Sequence, residues 1–294
     1  MDVVTHRPLA GQRQTAALAS RADRIREHIV AMCAGVEGGH MGGSLSVVEV
    51  LTALYFAVMR VDPRRPDDPA RDIFLLSKGH AAIGLYATLA EAGYFDAAEL
   101  AGFGTVGSRL MAHPVRTVPG VEMPTGSLGH GLALGAGFAL GARLRGRDRR
   151  AFVVLGDGEL QEGSVWEGAM GAAALGLDNL VAVVDRNGLQ ITGDTERICA
   201  LEPLADRWRS FGWSVRECPG HDLDALVEAL GSAPWQPGRP SVVIARTTKG
   251  AGVPFAEGKA QGHYMKVSPR QQAQARVAIA RAASVRAALE AVDA

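Results

Sequence analysis

Apolar residues along this chain fall into two kinds of run. Leu18, Ile25, Ile29, Met32 and Val36 recur at helical spacings of three and four, predicting a buried stripe on a helix from Thr15 that Gly35, Gly38 and Gly39 end. Further helices are predicted over Val47–Met59, Ala81–Ala92, Gly131 to about Leu144, around Leu204–Phe211, over Asp222–Leu230 and from Pro269 onward. Short runs at Ile73–Leu76, Phe152–Leu155, Leu180–Val184, Trp213–Glu217 and Ser241–Ala245 predict strands. Ser44 or Ser46 is expected to cap the helix at Val47, with Glu49 closing a capping box. Strands alternating with helices imply an α/β fold, three-layer α/β/α with a mostly parallel sheet. No repeat and no linker divides the chain, so one domain over residues 15–267 is expected, between a loose tail over 1–14 and a helical tail over 268–294.

The segment Phe152–Gly193 organises the rest. An apolar strand runs into Gly156-Asp157-Gly158, a small-residue helix follows to about Leu175, and a second apolar strand ends on Asp185-Arg186-Asn187-Gly188. In a parallel strand-helix-strand unit, Asp157 and Asn187 both leave the carboxyl edge of the sheet, where open sheets bind ligands. Singly, Asp-Gly and Asn-Gly are turn formers. Together they offer a carboxylate, an amide oxygen and a backbone carbonyl, an incomplete oxygen shell that suits magnesium or calcium and is completed by water and phosphate. Gly156 and Gly158 would let the backbone approach a phosphate and present N–H groups to it.

Composition narrows the function classes. Lys+Arg and Asp+Glu are both 31 in 294 residues, so no basic field suggests a nucleic-acid or membrane partner. Cys33, Cys199 and Cys218 lack metal spacing and are odd in number, as expected of free thiols packed as small hydrophobes. Met1–Arg21 lacks an apolar core behind a basic start, and the apolar stretches Gly131–Ala142 and Val50–Met59 are short of a membrane span. A cytoplasmic protein is expected. Five of the eight histidines, His40, His80, His113, His130 and His263, lie in loops flanked by glycine or proline. Imidazoles that donate to phosphate or sugar oxygens and move protons near neutral pH suit chemistry on hydroxylated substrates.

Gly156-Asp157-Gly158 followed by Asn187 resembles the thiamine diphosphate motif, and the fuller strings GDGELQEG, WEG and LDNLVAVVDRN resemble transketolase. The resemblance runs from about Ile25 to His263 and covers the first half of a full transketolase. It implies thiamine diphosphate with Mg2+, or Ca2+ or Mn2+ in its place, held on Asp157, Asn187 and the Leu189 carbonyl. By the same resemblance GGHMGGSLS puts His40 near substrate hydroxyls, SKGHA puts His80 against the diphosphate, and MAHP puts His113 beside the reacting carbons. TGSLGHGL lays Gly126, Ser127 and Leu128 along the cofactor, Glu159 joins Gly156 and Gly158 in binding it, Ile191 walls the thiazolium, and His263 contacts both diphosphate and substrate. Met41 stands where the family usually has proline, and His130 where it usually has glutamine.

The resemblance further implies an N-terminal transketolase subunit, transferring a two-carbon ketol unit between sugars or sugar phosphates. The pyrimidine-binding domain and its activating glutamate would come from a second polypeptide in an α2β2 heterotetramer, with Glu162 and Glu167 at the interface. The α subunit of a 2-oxoacid dehydrogenase, and a non-catalytic thiamine diphosphate-binding half, are the alternatives.

Overall fold

The computed structural model describes residues 12–35 and 37–292. Val36 and most of the expected tail lie outside the described residues. The strands are β1 (Ile73–Leu76), β2 (Ala151–Gly156), β3 (Leu180–Arg186), β4 (Leu189–Gln190), β5 (Gly193–Asp194), β6 (Ser214–Pro219) and β7 (Ser241–Arg246). The helices are α1 (Gln12–Cys33), α2 (Met41–Leu45), α3 (Val48–Ala53), α4 (Ala82–Ala92), α5 (Gly131–Leu144), α6 (Gly163–Ala174), α7 (Thr195–Ile198), α8 (Leu204–Ser210), α9 (Leu223–Gly231) and α10 (Pro269–Val292). The apolar helix expected over Val47–Met59 is α3 continued by a wide π-helical turn, Leu54–Val58.

Five strands form one sheet in the order β1-β2-β3-β7-β6, and every pairing is parallel. Side chains alternate across it, so each strand feeds two cores. Phe74, Phe152, Val154, Val183 and Val243 pack with α1, α2, α3, α4 and α9. Leu75, Val153, Leu155, Val184 and Ile244 pack with α5, α6 and α8. This is the expected three-layer arrangement. Because both faces are covered, β2 and β3 are buried along their whole length, which is why they read as unbroken apolar runs.

Four local expectations change. The capping box does not form: α2 already makes the chain helical before α3, Val47 precedes α3, and no side chain caps it. Ser44 Oγ instead donates to the His40 carbonyl at 2.8 Å, and Ser46 Oγ to Asp185 Oδ2 at 2.6 Å. Glu49, buried in α3, pairs with Arg26 and with His221 Nδ1, the latter at 2.9 Å. Trp213 precedes β6 and is buried, its indole N–H donating to the Ala169 carbonyl at 2.9 Å. The β4–β5 hairpin and α7 were not expected; they fill the turn-rich stretch after Asn187. Cys33 and Cys218 are buried free thiols, but Cys199 is exposed. Among the described residues, no helix is long and apolar enough to cross a membrane.

Candidate active site

All five parallel strands discharge at one edge, and their carboxyl ends deliver the chemistry. β1 leads into Ser77-Lys78-Gly79-His80, β2 into Asp157, β3 into Asn187, β7 into Thr247-Thr248-Lys249, and β6 into Gly220-His221. The strand expected over Leu180–Val184 runs on to Arg186, so Asp185 is inside β3 and Asn187 follows it directly.

The histidine loops converge. His40 lies 5.4 Å from His80, 6.2 Å from His113 and 5.3 Å from His263, ring centre to ring centre. His80 and His263 stack at 5.3 Å. The two outer loops are zipped together, since Gly39 and Met265 exchange both backbone hydrogen bonds at 2.9 Å. Tyr264 adds to that clip, its hydroxyl donating to the Glu37 carbonyl at 2.8 Å and its ring lying edge-on to His40 at 4.9 Å. His130 is exposed at the start of α5 and stands apart from this group.

Two buried lysines, which no sequence spacing singled out, stand beneath the histidines. Lys78 Nζ donates to Asp185 Oδ2 at 2.6 Å and to the Gly43 carbonyl at 2.7 Å. Burial alone would raise the Asp185 carboxyl, but the Lys78 charge and hydrogen bonds from Lys78, Ser46 and Thr247 hold it below the usual range. Lys249, only 3% exposed, donates to the Leu189 carbonyl at 2.8 Å and to His263 Nδ1 at 3.0 Å. Burial, reinforced by the Lys78 charge, brings its ammonium down to about 8. His263 falls to about 4, through burial and then Lys249. His40 and His80 are also lowered, chiefly by burial, so all three imidazoles are neutral at pH 7. An ammonium can only donate, so His263 carries its proton on Nε2.

Asp157 is 2% exposed and close to the Asn187–Gly188 peptide, whose Gly188 N–H donates to its Oδ2 at 2.6 Å. Arg186 Nη1 donates to the same oxygen at 3.1 Å, and Oδ1 accepts from the Gly158 N–H at 2.8 Å. Burial, and then the charge of Asp185, raises the Asp157 carboxyl. Asn187 Oδ1 accepts from the Leu189 N–H at 3.0 Å, while its Nδ2 donates to Asp185 Oδ2 at 2.8 Å. The Gly188 N–H ties Asp157 to the Asn187–Leu189 turn, and the oxygens of Asp157, Asn187 and Leu189 are donors of the type a hard divalent cation takes, although Arg186 now sits on Asp157 and Lys249 on the Leu189 carbonyl. Among the described residues no three His, Cys, Asp or Glu side chains gather as a metal site, and the expected set contains a single carboxylate.

Some expectations shift inward. The Gly156 and Gly158 N–H groups have acceptors within the chain: Glu159 Oε2 accepts the first at 3.0 Å and Asp157 the second. Glu159 is buried and accepts from Ser77 Oγ and, at 2.9 Å, from the Gly129 N–H, so it ties the loop after β1 and the loop before α5 to the end of β2. Gly79 must be glycine, because a Cβ there would sit 2.6 Å from the Thr125 carbonyl carbon. That approach seats Thr125–Leu128 beside His113, and the Thr125 hydroxyl is buried without a partner. A cleft of about 580 Å3 runs along Pro124–Ser127 and the first turn of α5. Leu128 is half-buried, Ser127 exposed, and Ile191 stands 67% exposed beyond β4.

Residues 18–280 match the family described as transketolase, thiamine diphosphate binding domain. The chain belongs to the transketolase family. One subunit of the apulose-4-phosphate transketolase from Actinobacillus succinogenes is 47% identical over 250 residues, covering 84% of this chain and 90% of that protein. The 6-deoxy-6-sulfo-D-fructose transketolase subunit of a Clostridium species is 45% identical over 231 residues, covering 78% of this chain and 84% of that one. A solved transketolase mutant from Pichia stipitis superposes with a TM-score of 0.82 at 31% identity, over 90% of this chain but 40% of its own. This chain therefore spans about two fifths of that transketolase, while matching nearly the whole of the two subunit relatives.

Proposed function

We propose that the chain is the diphosphate-binding subunit of a two-chain transketolase, moving a two-carbon ketol unit from a ketose or its phosphate to an aldose or its phosphate. The observation that carries this is the convergence of His40, His80, His113 and His263 over Lys249, beside the oxygen donors Asp157, Asn187 and Leu189. The oxygen-only donor set would hold Mg2+, with Ca2+ or Mn2+ able to replace it. Lys249, His80 and His263 would take the diphosphate, with Gly126, Ser127, Leu128 and Ile191 along the rest of the cofactor, and the Thr125 hydroxyl in that loop is buried without a partner. When bound, thiamine diphosphate supplies the carbanion chemistry that breaks and remakes the C–C bond. The chain's own part is positioning and proton movement. His40 and His113 orient substrate hydroxyls, and His263 donates through Nε2 because Lys249 occupies Nδ1.

Membership of the transketolase family disfavours the 2-oxoacid dehydrogenase α subunit. A second chain carrying the pyrimidine-binding domain and activating glutamate would complete the site, in an α2β2 assembly in the cytoplasm. Supporting this, Gly137 of α5 and Gly163 and Gly171 of α6 have open space where a side chain would go, and Met170 and Leu144 are exposed beside them. Glu162 and Glu167 lie on that same exposed side. Asp157→Ala tests the centre of the proposal: magnesium-dependent binding of thiamine diphosphate, measured by calorimetry, is lost. Unchanged affinity refutes the metal assignment. Co-expression with candidate partner chains, followed by ketose-plus-aldose and pyruvate-plus-lipoamide assays, tests the reaction; turnover only in the second, or in neither, overturns it.

A further inference from the structure

A second cleft, of about 350 Å3, opens at the opposite rim of the sheet, where β6 begins. Arg209, Arg216 and Arg239 line it together with Ser214 and Trp235, and no carboxylate does. β6 is six residues long, so this rim is about 20 Å from the carboxyl edge that carries the histidines. The cleft is separate from the proposed active site, and the inference does not rest on ketol transfer.

Exposed arginines are ordinarily solvated, so their arrangement has to decide the matter. Arg216 is held without a carboxylate: its guanidinium stacks over the Trp235 ring at 4.6 Å, and Nη1 donates to Ser232 Oγ at 3.0 Å. That stacking fixes a planar donor fork at the cleft wall with donors left over. Arg209 is restrained by Asp206 at 2.7 Å, and Arg239 has no side-chain partner among the described residues. Beneath them Ser214 is buried, yet its hydroxyl has no hydrogen-bond partner. Unpartnered buried hydroxyls are uncommon and call for an explanation such as a ligand. Three like charges around one concavity repel each other until an anion joins them, and guanidinium forks match phosphate geometry.

The geometry points to a binding site for a phosphate group in this cleft, either free phosphate or the phosphoryl group of a sugar ester. The probe is inorganic phosphate, titrated into the full chain at constant ionic strength. The readout is the Trp235 indole N–H resonance, assigned with Trp235→Phe; that N–H donates to the Ala229 carbonyl at 3.2 Å at the cleft wall. The expected result is a saturable shift. With Arg216→Ala and Arg239→Ala combined, binding is about tenfold weaker or more, while the melting temperature falls by only about 2–4 °C, the cost of losing the Trp235 stacking. Lys249→Ala, at the other edge, leaves the Trp235 response intact. A parallel titration with ribose 5-phosphate names the source: tighter binding selects the ester, equal binding the free ion. A shift that never saturates, or one equal in the double variant and the parent chain, overturns the site.

Discussion

Lys249 is the residue whose removal separates a structural from a functional reading of the cluster. It is 3% exposed, and its ammonium is brought from 10.5 down to about 8. At pH 7 the folded chain therefore carries the charge at a penalty of roughly 3 kcal/mol relative to the unfolded chain. Lys249→Met keeps the length of the side chain and removes that penalty. It also deletes the bonds to the Leu189 carbonyl and His263, which contribute roughly 2 kcal/mol together. The variant is then about 1 kcal/mol more stable than the parent at pH 7. A depressed lysine pKa means that the unfolded chain binds more protons between pH 8 and 10.5, so the parent gains stability across that window and the variant does not. By the top of it the order has reversed, with the variant less stable by about 2 kcal/mol. Urea unfolding followed by circular dichroism from pH 7 to pH 10.5 reads the difference, and other lysines cancel in it. Calorimetry on the same protein reads thiamine diphosphate affinity, which falls. A variant already more than 2 kcal/mol less stable at pH 7, with cofactor affinity retained, refutes the argument, because Lys249 would then be a packing residue.

Glu49→Gln strips the buried Arg26 of its counter-charge and costs about 3 kcal/mol in urea unfolding at pH 7. Burial pushes the Glu49 carboxyl up, but Arg26 and His221 prevail and hold it down to about 2. The stability it contributes is therefore complete above pH 4.5 and lost as pH falls through about 2, and the variant lacks that acid limb. Gly79→Ala forces a Cβ against the Thr125 backbone and lowers stability by about 1–3 kcal/mol, with weaker cofactor binding by calorimetry. An unchanged melting temperature in Gly79→Ala would show that the Thr125 loop yields freely.

What could be read along the chain and what could not divide on physical grounds. Strands buried on both faces announce themselves as apolar runs, so Phe152–Leu155 and Leu180–Val184 located the sheet, and the residues after them located its carboxyl edge. Glycine-flanked histidines were visible for a similar reason, each being a polar residue in a loop that few other constraints explain. Buried polar pairs leave no such mark when their members are far apart in sequence. Lys78 meets Asp185 after 107 residues, and His221 meets Glu49 after 172. Glu49 illustrates the ambiguity best. Three residues after Ser46, ahead of a helix, it fits a capping box, yet the actual satisfaction of its charge comes from α1 and from the loop after β6. A lone carboxylate inside Val47–Met59 was the available signal, because a charge surrounded by apolar neighbours must find a counter-charge wherever the fold brings one. The charge is met by Arg26, and His221 does more than donate from Nδ1 to the carboxylate: its Nε2 accepts the Thr248 N–H at 2.8 Å, one residue before Lys249. A chain of contacts from Arg26 through Glu49 and His221 thus holds the loop that aims the buried ammonium. Such a chain exists only after α1, α3, β6 and β7 have come together, which is why local sequence could name the histidines and not the scaffold beneath them.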